Sequence, residues 1–384
     1  MNTLKGKVFV GMSGGVDSSV AAMLLKNQGY DVTGVYMKCF VQPDMSCMKE
    51  AMDAMGVAKM LDIPFEIWDF QKEYKKRVID YMVEGYRQGL TPNPDIECNR
   101  EIKFGLFLER ALKLGADYVA TGHYVRTRIM NNELGIREES TSLFEAKDKN
   151  KDQSYFLWTL GQKQLGHALF PVGDYLKSEV REIARKAGLP TAEKKDSQGI
   201  CFVGKVTLDD FLKEYLPEKR GEVFSVSGEK LGEHNGAHFY TIGQRQGIGN
   251  IKHQKGVRAH KPLYVVSKDV QTNTVVVAEE GDENLTRNEV RLTGMNFINR
   301  EYSNILKNVG VLKVWARVRY RQQLCEAQLF RPQITNNKSQ TLKLVFEEPQ
   351  KFVAEGQSAV FYVPSEASAK DGSNYQMIGG GIIA

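Results

Sequence analysis

The chain of 384 residues has few of the features that mark membrane, secreted or zinc-binding proteins. No stretch approaches the ~18 consecutive apolar residues of a membrane span, and the first residues lack the apolar core of a signal peptide. The five cysteines are an odd number without paired spacing, which argues against a secreted disulfide framework. With six scattered histidines and no C-x-x-C or H-x-x-H pair, no metal site is expected. A cytoplasmic protein is the default expectation.

Neither sign of charge is in large excess, because 52 basic and 47 acidic side chains leave a net charge of +5. This balance permits a nucleic-acid partner but does not require one. A composition of 42% hydrophobic and 26% charged residues is ordinary for a globular protein. The length is sufficient for two or three domains with cores of their own.

A stretch rich in glycine and serine, residues 11–19, joins an apolar strand pattern to a helical pattern. Strand, tight glycine turn and helix form a geometry that holds phosphate. Glycine lets backbone N–H groups approach an anion, and the helix N-terminus adds partial positive charge. The stretch lacks the Gly-Lys-Ser/Thr ending of a Walker A loop and is not a G-x-G-x-x-G motif. The alternative is an ordinary glycine turn.

Strand and helix patterns alternate through the first ~200 residues, which predicts a doubly wound parallel sheet. Met37, Gly122 and the glycine stretch each follow a predicted strand, so they are expected at one edge of the sheet. From about residue 206 the strands become short and glycine-punctuated, and from about residue 285 they predict a small antiparallel barrel. The predicted fold class is therefore α/β, with a catalytic domain at 1–205, a central domain at 206–284 and a C-terminal β-barrel at 285–384.

The predicted helix at 46–61 carries Met48, Met52 and Met55 on one face. Three methionines on one helix face could bind a soft metal ion, but their helical spacing favours a face that packs against the core.

Two cysteines, Cys98 and Cys201, lie in stretches that mix turn-forming residues with polar groups. A loop cysteine in polar surroundings can be reactive, since its neighbours tune the pKa of the thiol. Cys39, Cys47 and Cys325 are interpreted as small buried hydrophobes.

The motifs carry a family resemblance. Residues 13–19 resemble the SGGxDS signature of the N-type ATP pyrophosphatases, the PP-loop enzymes. Together with 91–99, 120–124, 151–157, 196–202, 240–249, 319–321 and 356–362, they resemble the tRNA-specific 2-thiouridylases in order along essentially the whole chain. The resemblance implies a sulfurtransferase that adenylates O2 of the wobble uridine (U34) of tRNA and replaces that oxygen with sulfur. The products would be 2-thiouridine, AMP and pyrophosphate.

The resemblance also implies site residues and partners. It assigns ATP, accompanied by Mg²⁺, to Gly11, Met12, Ser13, Gly14, Gly15, Val16, Asp17, Ser18, Met37 and Gly122. It makes Cys98 the nucleophile and Cys201 the carrier of a persulfide, delivered by a cysteine desulfurase or a sulfur-relay protein. It assigns the target base to Asn93, Pro94 and Asp95, and further tRNA contacts to Lys151, Asp152, Gln153, Arg319 and Tyr320. The implied substrates are tRNAs for Lys, Glu and Gln, with no membrane partner.

Several alternatives stay open. Asp95 is either a general acid/base or a turn-forming residue after proline, and without the resemblance Arg319 is equally a residue of a solvated strand face. Sulfur attacks either as the persulfide or as hydrosulfide freed by Cys98. Rival functions are an amide-forming PP-loop ligase, a non-catalytic tRNA-binding protein and a 4-thiouridine synthetase. The last is disfavoured because no extra RNA-binding domain is expected ahead of residue 7.

Overall fold

A computed structural model describes residues 4–40, 46–130, 140–195, 207–245, 247, 250–251, 261–331, 341–365 and 374–384. Within these ranges the strands form three sheets. The helices of the same ranges are α1 (Val16–Asn27), α2 (Ser46–Met60), α3 (Gln71–Tyr74), α4 (Asp80–Arg87), α5 (Pro94–Glu97), α6 (Leu108–Lys113), α7 (Gln162–Leu165), α8 (Lys177–Lys186), α9 (Leu208–Lys213) and α10 (Arg300–Val309). Two π-helical stretches, Lys75–Ile79 and Cys98–Phe107, join α3 to α4 and α5 to α6, and short 3₁₀ turns lie at Ser154–Leu157, Ala237–Phe239 and Glu283–Leu285.

The first sheet is entirely parallel and has the order β3-β2-β1-β4-β7. Its strands are β1 (Lys7–Gly11), β2 (Asp31–Lys38), β3 (Phe65–Asp69), β4 (Tyr118–Ala120) and β7 (Ala168–Leu169). The strand β1 is apolar and almost wholly buried, as expected for a central parallel strand covered on both faces. Because the chain winds outward in opposite directions from β1 and β4, a crevice opens between their carboxyl ends.

The second sheet has the order β10-β9-β8-β12-β11 and lies in the middle part of the chain. Its strands are β8 (Gly221–Ser225), β9 (Lys230–His234), β10 (Asn250–Ile251), β11 (Leu263–Asp269) and β12 (Thr274–Glu279).

The third sheet closes on itself, because β13 pairs with β16 on one side and with β18 on the other. Its strands are β13 (Thr286–Phe297), β14 (Val311–Arg317), β15 (Cys325–Phe330), β16 (Leu342–Lys351), β17 (Ser358–Pro364) and β18 (Tyr375–Ile383). A hairpin from the first half of the chain, β5 (Val125–Met130) and β6 (Ser140–Glu145), extends this sheet through β18. The predicted fold class, a parallel-sheet α/β domain followed by a central domain and an antiparallel barrel, is confirmed. The predicted domain boundaries stay a prediction.

The setting of Cys98 differs from the predicted loop. The helical segment that carries Cys98 begins at Pro94, because proline fits the first helical position, where no N–H is needed. The side chain of Asn93 caps this end, since its Oδ1 accepts hydrogen bonds from the N–H groups of Asp95 (3.1 Å) and Ile96 (3.4 Å). Cys98 consequently lies in a buried helix turn.

The interpretation of the methionine stripe is wrong. Met48, Met52 and Met55 are 54%, 65% and 51% exposed, whereas α2 packs through small residues such as Ala54 and Ala58. Both faces of the helix share the same period, so the pattern alone could not tell which face is buried. Of the three cysteines interpreted as small buried hydrophobes, Cys47 is buried, while Cys39 and Cys325 are half-buried.

Arg319 does not lie on a strand face. Strand β14 ends at Arg317, and Arg319 and Tyr320 lie in the following turn, where Arg321 has a left-handed backbone (φ +64°). In the described parts of the chain, no helix combines the length and the apolar character needed to cross a bilayer.

Candidate functional site

The glycine stretch forms a tight turn between β1 and α1, at the crevice of the parallel sheet. Gly14 has φ +72°, and a Cβ there would lie 2.3 Å from the carbonyl oxygen of Glu50. Gly15 is the N-cap of α1 and offers no side-chain oxygen to the N–H groups of the first turn. The hydroxyl of Ser18 accepts a hydrogen bond from the N–H of Ser13 (3.2 Å), which closes the turn. The turn is therefore a cradle that fits the phosphates of ATP.

The ends of β2 and β4 complete the cradle. A Cβ on Gly122 would lie 2.6 Å from the backbone nitrogen of Ser18, so the segment after β4 touches the first turn of α1. A Cβ on Gly11 would lie 2.9 Å from Cε of Met37, at the end of β2. The structure thus brings together the residues predicted to bind ATP: Gly11, Met12, Ser13, Gly14, Gly15, Val16, Asp17, Ser18, Met37 and Gly122.

We expect the substitution Gly122→Ala to distort this cradle. Its methyl group meets backbone atoms of Asp17 and Ser18, which cannot move aside as a flexible side chain would. The expected cost is about 1–3 kcal/mol of unfolding free energy, with at least ~10-fold weaker ATP binding, measured by denaturation and calorimetric titration. Gly56→Ala, in α2 with no atom near its Cβ, is the matched control and is expected to bind ATP normally. Normal ATP binding by Gly122→Ala would contradict the assignment of Gly122.

Two lysines distant in sequence hold the loop, and no motif pointed to them. Lys177 at the start of α8 donates to both carboxylate oxygens of Asp17 (2.7 and 2.8 Å), and the hydroxyl of Tyr124 donates to the same carboxylate (2.7 Å). Lys194 donates to the carbonyl oxygen of Gly14 (3.0 Å). Only the tertiary structure reveals these cations beside the cradle.

Cys98 is the first residue of the π-helical stretch that follows α5. Its side chain is only 8% exposed and belongs to the main hydrophobic cluster. Burial raises the pKa of its thiol; the positive charge of Lys103 opposes this rise, and the negative charge of Asp95 adds to it. Asp95, predicted as an acid/base or turn residue, is half-buried one turn before the thiol.

A short segment, residues 151–157, connects these separate parts. Gln153 accepts a hydrogen bond from the N–H of Tyr124 and donates through its own N–H to the Tyr124 carbonyl (3.0 and 2.9 Å). At its other end, the carbonyl of Phe156 accepts a hydrogen bond from the side chain of Asn99 (3.1 Å), next to Cys98. The ring of Phe156 lies 4.4 Å from that of Tyr320, between centroids. The segment therefore spans from the Gly122 side of the cradle to the helix of Cys98.

The predicted tRNA contacts differ in accessibility. Arg319 is exposed, and Tyr320, Lys151 and Gln153 are half-buried. Asp152, in contrast, is 3% exposed and binds the guanidinium of Arg317 (3.2 Å). Its carboxylate connects the 151–157 segment to the barrel in this conformation, and its contact with tRNA stays a prediction.

A cleft between the parallel-sheet part and the barrel contains Asn93. Its other walls include Trp158, Thr159 and Ser358. Within the described residues, the indole N–H of Trp158 and the hydroxyl of Thr159 are buried without a hydrogen-bond partner. Buried polar atoms of this kind suit a polar ligand that supplies the partners. Pro94, the third predicted base contact besides Asn93 and Asp95, is buried in the first helical turn.

Cys201 lies outside the described residues, as do Gln246, Ile248 and Gly249 of the predicted tract at 240–249.

Comparison with protein families accounts for the three sections of the chain. The tRNA methyl transferase HUP domain matches residues 6–205, the tRNA methyl transferase PRC-barrel domain residues 209–279, and the aminomethyltransferase beta-barrel domain residues 287–383. The tRNA-specific 2-thiouridylase MnmA of Streptococcus thermophilus is 43% identical over 383 residues, which cover 99% of this chain and 95% of the relative. The protein of the same name from Francisella tularensis subsp. novicida is 40% identical and covers 98% of this chain and 99% of its own.

The chain belongs to the family of tRNA-specific 2-thiouridylases. Among solved structures, this family member resembles the U34-tRNA thiolase NcsA from Methanococcus maripaludis, with 17% identity, a TM-score of 0.34 and coverage of 52% of this chain and 62% of that one. An NMN synthetase from Francisella tularensis has 18% identity and a TM-score of 0.31, and covers 50% and 67%. In this chain, hydrogen bonds connect the cradle, the 151–157 segment and the helix of Cys98.

Proposed function

We propose that this protein catalyses the ATP-dependent 2-thiolation of the wobble uridine (U34) of tRNA, and that it acts in the cytoplasm. The observation that carries the proposal is the contact chain from the cradle through Gln153 and Phe156 to Asn99, beside Cys98. It supports one site in which a nucleotide and a thiol act on the same substrate. Membership of the 2-thiouridylase family supports the same reaction.

The first step in this proposal makes a leaving group. The carbonyl oxygen O2 of uracil attacks the α-phosphorus of ATP, and pyrophosphate leaves. The N–H groups at the start of α1 and the hydroxyls of Ser13 and Ser18 would hold the phosphates, and Mg²⁺ would accompany them. Lys177 holds the carboxylate of Asp17 in a fixed orientation at the same helix terminus.

Sulfur then replaces the activated oxygen. A persulfide on Cys201 attacks C2 of the base through its outer sulfur, and AMP departs with the former O2. The thiolate of Cys98 attacks the inner sulfur of Cys201 and breaks the sulfur–sulfur bond, which leaves 2-thiouridine and a Cys98–Cys201 disulfide. In the alternative order, the same attack by Cys98 first frees hydrosulfide, which then attacks C2. Either order needs a thiol reductant to restore both cysteines and a desulfurase or relay protein to reload the sulfur.

The tRNA would contact both parts of the molecule. The cleft at Asn93, which Trp158 and Thr159 also line, would receive a base taken out of its stack. The ring contact between Phe156 and Tyr320 joins the 151–157 segment to the turn after β14. We expect Lys151 and Gln153 on one side of this contact, and Arg319 and Tyr320 on the other, to bind the tRNA backbone that flanks the target base. The substrates would be the tRNAs for Lys, Glu and Gln.

The decisive experiment combines the protein with ATP, a saturating persulfide donor and unmodified tRNA. We expect 2-thiouridine by nucleoside mass spectrometry, and pyrophosphate release that depends on tRNA. Methyl transfer, which the descriptions of the matched families mention, would give a nucleoside of different mass in the same assay. No thiolated nucleoside, or pyrophosphate release without tRNA, would contradict the proposal, and the second result would favour an amide-forming ligase.

A further inference from the structure

The helix that carries Cys98 has an uncommon form. Residues 98–107 make ten residues of π-helix, and a Cβ on Gly105 would lie only 2.8 Å from the carbonyl oxygen of Arg100, five residues earlier. Backbone hydrogen bonds in a π-helix join residues five apart, and such stretches are frequent at functional sites. In an α-helix, residues five apart would lie roughly 140° around the axis from each other. The wider turn places the Lys103 side chain on the face that carries Cys98.

The placement of Lys103 adds a positive charge to the surroundings of the Cys98 thiol. Cys98 is buried among apolar residues such as Ile102 and Phe104. Burial raises the pKa of Cys98, the ammonium of Lys103 lowers it, and the carboxylate of Asp95 raises it. Lys103 is half-buried, so water screens its charge less than on an open surface.

A histidine on the neighbouring segment faces the same lysine. His123 is buried; its Nδ1 lies 2.7 Å from the hydroxyl oxygen of Thr121, and its ring lies 6.0 Å from that of Phe104. Burial lowers the pKa of His123 well below its usual value, and the charge of Lys103 lowers it further. The imidazole is therefore neutral, and Asp152, on the adjoining segment, is compensated by Arg317. The positive charge that favours a thiolate at Cys98 comes from Lys103.

We propose that Lys103 is a positioning residue that favours the thiolate form of Cys98 by its place one π-turn away on the same helix face. The proposal rests on the role of Cys98 in the proposed function. Lys103 acts through its charge alone, forms no bond to sulfur and takes no proton, since the thiol proton leaves to water. The π-helix would thus be retained because a regular α-helix would turn the lysine away from the sulfur.

The test measures the titration of Cys98 directly. Pulses of iodoacetamide at pH 6–11, with the Cys98 peptide quantified by mass spectrometry, give the midpoint of thiolate formation independently of how often the buried site opens. We expect Lys103→Met to raise this midpoint by about one unit, so that alkylation below the midpoint slows ~10-fold. Lys103→Arg should restore it. Lys113→Met, which removes an exposed lysine at the end of α6, is the matched control and should leave it unchanged.

The thiolation assay provides the second readout. Lys103→Met should lower kcat by a similar ~10-fold factor at neutral pH and regain activity as pH rises, with the KM for tRNA unchanged. An unchanged alkylation midpoint, with or without a raised KM for tRNA, would overturn the proposal, and so would an equal shift in Lys113→Met. If the wild type forms no 2-thiouridine while Lys103→Met still shifts the midpoint, the proposed function fails and the role of Lys103 stands.

Discussion

Replacement of Cys98 by serine is expected to reduce 2-thiouridine formation by about 10³-fold or more. A serine hydroxyl is almost never ionised near neutral pH and does not attack a sulfur–sulfur bond, so neither sulfur-transfer route can proceed. ATP binding is expected to be unchanged, because the cradle is formed by the turn after β1 and by Gly122, not by the helix of Cys98. The measurement is nucleoside mass spectrometry with a saturating sulfur donor, alongside calorimetric titration of ATP.

Two variants separate chemistry from folding in this experiment. Cys98→Ala removes the thiol without burying a hydroxyl and should be as inactive as the serine variant. Cys325→Ser changes a half-buried thiol in strand β15 of the barrel and should retain full activity. Cys201→Ser should abolish the product as well, since it removes the proposed carrier of sulfur. Thiolation by Cys98→Ser above about a tenth of the wild-type rate would refute the nucleophile assignment.

The variant Arg317→Met is expected to cost about 3–5 kcal/mol of unfolding free energy. The guanidinium of Arg317 bonds Glu145 and Asp152, and the three side chains are 6%, 7% and 2% exposed. Burial alone would lower the pKa of Arg317, but Tyr362, Asp152 and Glu145 raise it, so the arginine stays charged. Its loss leaves the buried carboxylate of Asp152 without a cation among the described residues and Glu145 with only the exposed Lys149, which a methionine of similar volume cannot compensate.

The pH dependence follows from the same charges. Burial already raises the pKa of Asp152, and removal of Arg317 takes away the charge that opposes this rise. A carboxyl with a raised folded-state pKa weakens the fold above that pKa and not below the unfolded value. The deficit of Arg317→Met should therefore shrink as pH falls toward about 4.

Denaturant unfolding at several pH values measures this deficit. Lys313→Met, an exposed lysine on the same strand β14, is the matched control and should change stability by less than about 0.5 kcal/mol. Adding Glu145→Gln and Asp152→Asn to Arg317→Met should recover part of the loss, because the uncompensated charges disappear. An Arg317→Met protein as stable as the control would show that this ion cluster does not join the 151–157 segment to the barrel.

The main parts of the cradle could be predicted from the sequence. A strand followed by Gly14-Gly15 and a helix predicts this cradle without any distant residue, because the backbone geometry and the helix N-terminus arise locally. The predicted convergence of Met37 and Gly122 on the cradle followed from the rule that parallel strands share an edge. Lys177 and Lys194 could not be predicted, since nothing in their local sequence indicates that folding places them beside the turn.

The errors have local causes as well. The turn-forming residues around Cys98 predicted a loop, and the sequence pattern did not reveal that Pro94 begins a helical segment whose π-turns bury Cys98. The spacing of the methionines in α2 correctly indicated a helix, but the prediction that they face the core was wrong. Periodicity shows which residues share a helix face and not whether that face is buried.

The sequence by itself determined the α/β fold with its C-terminal barrel and the phosphate cradle, and through family motifs it predicted which residues are reactive. These depend on local backbone preferences and on residue types at fixed spacings. The tertiary structure alone decided which groups act on one another: Lys103 on Cys98, Lys177 on Asp17, and Arg317 on Asp152. Charge and hydrogen-bond interactions depend on distance through space and on burial, and neither is encoded in the spacing of residues along the chain.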